Sequence, residues 1–231
     1  MAVTLQDLFG DPALFLHQLD DNHAVFQTMT REDVAKSIFL DGRIRHGDRP
    51  SIRVPLDLLR AEATPAALPP RRIGWIFHVA QCGSTLLARA LDRPGRSLVL
   101  REPMALRQLG VMAGANERAA AVPSPDLLRL VMALLGKRWE AEPPVIVKAN
   151  VPVNFIAERI LALDPSAPAL ALHFPLANYV AAILRTEGHV RWTESVFAEL
   201  RIGESPFSAS APPRSTAEKA AALSWLKTFS R

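Results

Sequence analysis

Cysteine is almost missing from this sequence of 231 residues, which contains only Cys82. A disulfide-bonded secreted domain and a cysteine-rich zinc site are therefore both excluded. The six histidines show no H-x-x-x-H spacing and no regular spacing with carboxylates. We therefore predict no metal site.

Long apolar runs and leader sequences are also missing. The N-terminal segment 1–21 carries aspartates but no basic region and no cleavage site. The most apolar stretch, Ala167–Leu184, is interrupted by prolines, a histidine and an asparagine. A bilayer helix needs roughly 20 apolar residues in a row. We therefore expect a cytoplasmic chain with no membrane partner.

The charge distribution indicates a small anionic ligand. The net charge of +4 is mild and does not indicate nucleic acid as a partner. From Arg71 to Arg107, however, the sequence contains seven arginines and only two acidic residues, Asp92 and Glu102, so this window has a net charge of +5. A local excess of this kind suits a small anion at least as well as a polymer.

Two regions follow from the composition along the chain. Hydrophobic residues make up 49% and charged residues 22%, which is typical of a soluble globular protein. A proline-rich connector, 64–70, separates an N-terminal region (1–70), which we expect to be irregular and to pack on the core, from the core itself (71–231). Within the first region we predict a strand over 24–28 and a helix of about ten residues after Thr30 and Asp33.

The core alternates apolar strands with helices. We predict strands at 73–79, 97–100, 145–148 and 169–174, and helices at 84–91, 103–113, 125–139, 153–163 and 176–186. Strands with little polar alternation that are separated by helices indicate a parallel sheet covered on both faces. The predicted fold class is α/β, doubly wound, with a mostly parallel sheet.

The end of the sequence contains a further helix signal. Ser215 and Glu218 form a capping box that opens an amphipathic pattern with Ala221, Trp225 and Phe229 on one face. The chain stops inside this pattern, so we expect either a shortened C-terminus or a helix that needs another surface, such as a second copy in a homo-oligomer.

The most informative segment is a P-loop-like strand–turn–helix. An apolar strand runs into a small-residue turn that contains Gly83, and a helix begins at Ser84-Thr85. In a doubly wound sheet this arrangement places a helix N-terminus at the carboxyl edge of a central strand. Free backbone N–H groups and the positive end of the helix dipole make such a position an anion site.

The nucleotide-triphosphatase pattern G-x-x-x-x-G-K-[ST] does not match this loop. His78 occupies the position of the first glycine and Ser84 that of the lysine. The predicted strand ends carry Lys148 and His173 rather than a magnesium-binding aspartate. A magnesium-dependent ATPase or GTPase is therefore a poor interpretation.

The loop resembles that of the sulfotransferase family, in particular its bacterial members. The resemblance rests on Cys82–Leu87 (CGSTLL) and on Arg101-Glu102-Pro103 after the second core strand. It implies a metal-free enzyme that binds 3′-phosphoadenosine 5′-phosphosulfate and transfers its sulfuryl group to a hydroxyl or amine acceptor, which the sequence does not identify. The loop and first helical turn would hold the 5′-phosphosulfate: Ala80, Gln81, Cys82, Gly83, Ser84, Thr85 and Leu86.

Two further residues are candidates for catalysis. Glu102 follows the second strand and would take the proton of the acceptor, as a glutamate does in some family members; alternatively, it pairs with Arg101 or caps the next helix. Lys148 ends the third strand and would stabilise charge on the sulfuryl or bridging oxygen; alternatively, it is a strand-end lysine whose ammonium reaches water. We interpret His78 as a core histidine and Cys82 as a small residue in a tight turn rather than a nucleophile.

Three departures from the family pattern leave other functions open. Gln81 replaces a basic loop residue, and at the 3′-phosphate position His173 and Ala181 replace an arginine and a serine. These changes favour a non-catalytic binding protein that kept the fold. An atypical nucleotide phosphotransferase is the third alternative, and dependence on magnesium would distinguish it.

Overall fold

A computed structural model describes residues 3–44, 50–63, 72–115, 123–139, 144–200 and 215–224. The first part of the chain forms α1 (Leu5–Gly10), β1 (Leu14–Leu19), β2 (His23–Thr28), α2 (Arg31–Lys36), β3 (Ser51–Pro55) and α3 (Leu56–Glu62). The core begins with β4 (Ile73–His78), α4 (Ser84–Leu91), β5 (Leu98–Arg101), α5 (Met104–Ala115) and α6 (Pro125–Leu135). It continues with β6 (Val145–Lys148), the 3₁₀ helix η1 (Val151–Ile156), α7 (Ala157–Leu163), β7 (Ala169–Leu172), α8 (Leu176–Leu184), α9 (Glu187–Glu199) and α10 (Thr216–Ser224).

The predicted α/β architecture is confirmed. Strands β4 to β7 form a sheet in the order β5-β6-β4-β7, all neighbouring strands are parallel, and helices flank the sheet. Strand β6 has its predicted bounds, whereas β4 and β7 end one and two residues earlier than predicted. This four-stranded parallel sheet is consistent with a doubly wound fold.

The strand order creates a crevice at the carboxyl edge. The chain after β4 crosses β6 to reach β5, and the chain after β6 crosses β4 to reach β7. The neighbouring strands β4 and β6 therefore send their connections in opposite directions. Ligands of open α/β sheets bind at such a switch point.

The N-terminal region is more regular than the sequence indicates. Strands β1, β2 and β3 form a three-stranded antiparallel sheet, with Phe26 opposite Leu16 on one side and Ile52 on the other. Strand β3 carries no apolar run, so pairing with β2 rather than its own pattern makes it a strand. The helix predicted after Thr30 is shorter than expected and ends at Lys36.

The two sheets share one hydrophobic core. Buried side chains from the N-terminal sheet, such as Leu16 and Phe26, belong to the same cluster as Leu106 of α5 and Val147 of β6. The fully buried Arg101 extends this connection, because its guanidinium donates to the carbonyl oxygens of Val34, Ala35 and Ser37 at the end of α2. The N-terminal region is therefore packed on the core.

Several helix predictions differ from the structure in their bounds, and one helix was not predicted. The helix predicted over 153–163 begins as the 3₁₀ turn η1 and becomes α-helical at Ala157. Helix α6 stops at Leu135, before Gly136, and α9 was not predicted. Ser215 and Glu218 form the predicted capping box before α10, with Ser215 N 2.7 Å from Glu218 Oε2, whereas Trp225 and Phe229 lie outside the described residues. None of the helices within the described ranges combines the length and the apolar character that crossing a bilayer requires.

Gly110 allows α5 to touch η1, the segment that directly follows the end of β6. A Cβ atom at Gly110 would lie 2.5 Å from the carbonyl carbon and oxygen of Pro152. Replacement of a helical glycine by alanine normally stabilises by up to about 1 kcal/mol. We predict that Gly110→Ala instead destabilises by about 2 kcal/mol in urea unfolding, because a rigid backbone must move. The matched control is Gly188→Ala in α9, where the nearest atom lies 3.9 Å away and no loss is expected; equal effects of the two changes would contradict this packing argument.

Candidate functional site

The turn between β4 and α4 has the geometry of an anion-binding loop. Gly83 caps α4 with a left-handed backbone (φ 82°), and Gln81 also has a positive φ of 63°. The amides of Leu86 and Leu87 donate to the Gly83 carbonyl oxygen at 3.0 and 3.2 Å. The preceding amides of Ser84 and Thr85 lie in the first turn, where the helix itself offers no acceptor. They are the donors that an anion at this helix terminus would use.

The loop opens into a cavity of about 920 Å³ at the carboxyl edge of the sheet. From the loop, Ala80, Gln81, Gly83, Ser84 and Thr85 line this cavity. From the strand ends, His78, Glu102 and Lys148 line it. Five of the seven predicted loop and first-turn residues and both predicted catalytic residues thus share one cavity at the switch point of the sheet.

Glu102 and Lys148 form a buried ion pair. Strand register brings them together, because Arg101 lies beside Lys148 and the Glu102 amide donates to the Lys148 carbonyl oxygen at 2.7 Å. The Lys148 ammonium donates to Glu102 Oε1, and the side chains are only 1% and 14% exposed. Burial raises the pKa of the Glu102 carboxyl, although the neighbouring ammonium of Lys148 acts in the opposite direction. A raised pKa suits a carboxylate that accepts protons.

The backbone at Glu102 is unusual for a residue with a side chain. Its φ is 57°, in the left-handed region that a non-glycine residue seldom adopts. Such conformations cost free energy and are found at functional sites more often than elsewhere. Gln81 and Glu102, the two non-glycine residues with positive φ in the described part of the chain, both line the cavity.

Arg101 takes a structural role and does not pair with Glu102. Its guanidinium contacts Asp92 Oδ2 at 2.8 Å and the end of α2, and Arg101 is not among the residues that line the cavity. Glu102 therefore depends on Lys148, rather than on its neighbour in sequence, for its charge partner.

His78 differs from the satisfied core histidine that the sequence suggested. Its Nδ1 lies 2.9 Å from the Val79 carbonyl oxygen, but the buried Nε2 has no hydrogen-bond partner among the described residues. Nε2 lies 3.7 Å from Glu102 Oε1. Burial, together with the charge of Lys148, lowers the pKa of His78 to about 4. The imidazole is therefore neutral at physiological pH.

The N-terminal region supplies one wall of the cavity, which sequence reasoning missed. Phe39, Asp41 and Arg43 line it. The Arg43 guanidinium lies 4.0 Å from the centre of the Phe39 ring and donates to both Asp41 oxygens, at 2.9 and 3.0 Å from Nε. The Asp41-Gly42 dipeptide, which is typical of a turn, is the local sequence signal in this segment.

Helices α5 and α9 also contribute to the cavity lining. Arg107 of α5 lines the cavity and forms an ion pair with Glu199 of α9, and His189 and Trp192 of α9 also line it. The N-cap residue Thr186, whose hydroxyl accepts from the His189 amide at 3.2 Å, was the available signal for α9.

Three predicted ligand residues do not line the cavity. His173 follows β7 at the same edge of the sheet, but its side chain is exposed and outside the cavity. The Leu86 side chain is 76% exposed, and its amide is already bonded to Gly83. Cys82 is partly buried and packs against a second apolar cluster that includes Tyr179.

Comparison of the chain with protein-family models, with curated proteins and with solved structures gave no match. We therefore infer a function from the geometry of this cavity.

The neutral state of His78 makes a prediction about stability and pH. In the unfolded chain this histidine binds a proton near its ordinary pKa of 6.5, whereas in the folded chain it does so only near 4. Because the unfolded state binds more protons between these values, His78 lowers the free energy of unfolding by about 3 kcal/mol as pH falls through this window. In urea unfolding, the free energy of unfolding of the wild type minus that of His78→Phe should therefore fall as the pH is lowered from neutral towards 4. A difference that stays constant with pH would contradict burial of a neutral imidazole.

Proposed function

We propose that this protein is a sulfotransferase-like enzyme that moves a sulfuryl group from 3′-phosphoadenosine 5′-phosphosulfate to a hydroxyl or amine acceptor. The observation that carries the proposal is that the N-terminus of α4 and the buried Lys148–Glu102 pair open into one cavity. An anion site and an acid–base pair are the two parts that such a transfer needs.

The donor fits the loop through its 5′ end. The amides of Ser84 and Thr85, together with their hydroxyls, would hold the phosphosulfate oxygens. Lys148 would stabilise the negative charge that develops on the bridging oxygen as the sulfur–oxygen bond breaks. His173 does not line the cavity and so cannot hold the 3′-phosphate there. The cations Arg43 and Arg107 of the cavity wall would hold it instead.

Glu102 has the position and the environment of a general base. In the transfer, its carboxylate takes the proton of the acceptor, the acceptor oxygen or nitrogen forms a bond to sulfur, and the bond from sulfur to the phosphate oxygen breaks. Since only the carboxylate form of Glu102 can take this proton, the rate should rise with pH through the raised pKa of Glu102.

The strand next to β4 separates this proposal from a magnesium-dependent phosphotransferase. Nucleotide triphosphatases carry an aspartate that holds magnesium near the phosphate loop. Here β6, the neighbour of β4, ends in Lys148, whose ammonium repels a metal cation. A phosphosulfate, which needs positive charge and no metal, suits this position better.

A non-catalytic binding protein is the second candidate. It is favoured by Gln81, which lines the cavity without a charge, and by the position of His173 outside it. Such a protein would bind the nucleotide and transfer nothing.

Nucleotide binding tests the site directly. We predict micromolar binding of 3′-phosphoadenosine 5′-phosphate by calorimetry without magnesium, and loss of this binding in Gly83→Val, because valine strains a backbone with φ 82°. The matched control is Gly95→Val, which introduces the same strain at φ 73° outside the cavity lining and should keep the affinity. Failure of the wild type to bind this nucleotide would contradict the proposed donor.

Replacement of the base separates binding from transfer. Glu102→Gln should keep nucleotide binding and lower sulfuryl transfer by about 100-fold or more, because general base catalysis is lost. Transfer is measured with ³⁵S-labelled donor against a panel of alcohols, phenols and amines. The control is the exposed Glu158→Gln on α7, which should behave like wild type. Transfer that survives in Glu102→Gln would assign the base elsewhere, and binding without transfer in the wild type across the panel would favour the non-catalytic protein.

A further inference from the structure

His78 occupies a central place at the carboxyl edge of the sheet. It is the last residue of β4, the strand that lies between β6, which ends in Lys148, and β7. Its Nε2 lies 3.7 Å from Glu102 Oε1, the same oxygen that accepts from Lys148. The side chains of His78 and Lys148 thus both lie next to one carboxylate oxygen of Glu102, the residue that follows β5.

The backbone fixes which nitrogen of His78 carries the hydrogen. Nδ1 lies 2.9 Å from the Val79 carbonyl oxygen, and a carbonyl oxygen can only accept. In a neutral imidazole with the hydrogen on Nδ1, Nε2 is an acceptor. This acceptor is buried and has no hydrogen-bond donor in the described part of the chain, although an unpaired buried polar atom is costly.

Among the described groups around His78, Glu102 is the one that becomes a donor when it takes up a proton, whereas the Lys148 ammonium already donates to Glu102 Oε1. From β6, the Lys148 ammonium and the Ala149 carbonyl face the ring, and from η1 the Asn154 amide donates to the His78 carbonyl oxygen at 3.1 Å. Glu102 faces Nε2 from the end of β5 and is itself influenced by Asp41 and Arg43. A proton on Glu102 Oε1 would therefore point at an acceptor that lacks a donor.

We propose that His78 is a positioning residue for Glu102, whose Nε2 accepts the hydrogen bond of the Glu102 carboxyl once Glu102 has taken the proton of the acceptor substrate. The inference rests on the proposed sulfuryl transfer. In the structure, the Lys148 ammonium donates to Glu102 Oε1. When the anionic donor occupies the loop, Lys148 turns to it, and Glu102 exchanges an ammonium partner for an imidazole partner. The proton travels from the acceptor to Glu102 Oε1, stays there in a hydrogen bond to His78, and leaves to water after transfer.

The first test needs no ligand. In protein labelled with ¹⁵N in its histidine rings, we expect Nδ1 of His78 to carry the hydrogen and Nε2 to carry none at neutral pH. Glu102→Gln, whose amide can donate to Nε2, should shift the Nε2 resonance towards that of a hydrogen-bonded acceptor, whereas Glu158→Gln should leave it unchanged. A protonated Nε2, or a resonance that ignores Glu102→Gln, would overturn the proposal.

The second test measures proton uptake. Binding of 3′-phosphoadenosine 5′-phosphate, followed by calorimetry in buffers of different ionisation enthalpy, should take up protons, and Glu102→Gln should remove the part that belongs to Glu102. His78→Phe should lower that part at least twofold, whereas His78→Gln, whose carbonyl oxygen still accepts, should retain it. A folded His78→Phe protein with unchanged uptake would overturn the role of His78, because a purely structural histidine would not control the proton on Glu102.

The two tests separate the two claims. If the nucleotide does not bind to the wild type, the proposed function fails, and the resonance of Nε2 still decides whether His78 and Glu102 interact. If the nucleotide binds but His78→Phe changes nothing, the proposed function stands without the role of His78.

Discussion

The buried ion pair of Lys148 and Glu102 is the interaction on which the site depends. Removal of both charges from water costs several kcal/mol per ion, and their attraction only partly returns this cost. An apolar pair of similar size would join the ends of two neighbouring parallel strands at least as well. We therefore interpret the pair as functional rather than stabilising. An ammonium and a carboxylate lie in contact with each other and line the same cavity as the N-terminus of α4. The left-handed backbone of Glu102 adds a further cost at the same place.

The rest of the fold buries this pair and leaves it open towards the cavity. The N-terminal sheet shares the hydrophobic core, and Arg101 anchors α2 so that the following segment, with Phe39 and Arg43, reaches the cavity. Helix α9 contributes Trp192 to the cavity lining. The N-terminal region, which the sequence predicts to be irregular, and α9, which the sequence does not predict, thus complete the lining of the cavity. In the proposed reaction, the loop, the ion pair, Arg43 and Arg107 would serve the donor and the proton, and the other wall residues would set the specificity for the acceptor.

The sequence predicts those parts of the molecule whose conformation depends on neighbouring residues in the chain. The apolar strands and the glycine turn were correct within two residues, because buried parallel strands and positive-φ glycines leave strong signals. The placement of Glu102 and Lys148 followed from the rule that parallel strand ends meet at one edge. Sequence reasoning failed where partners are distant: Arg101 bonds to carbonyl oxygens more than 60 residues earlier in the chain, and β3 is a strand only because β2 pairs with it. His78 is buried, as a core histidine would be, but the spacing along the chain does not reveal that its Nε2 lies 3.7 Å from Glu102 Oε1.

A crystal structure with bound 3′-phosphoadenosine 5′-phosphate tests the central claim most directly. The account predicts that a phosphate group accepts hydrogen bonds from the amides of Ser84 and Thr85 and that the Lys148 ammonium has left Glu102 for the ligand. A nucleotide bound outside the cavity, or a Lys148–Glu102 pair left intact beside a fully occupied loop, would contradict it.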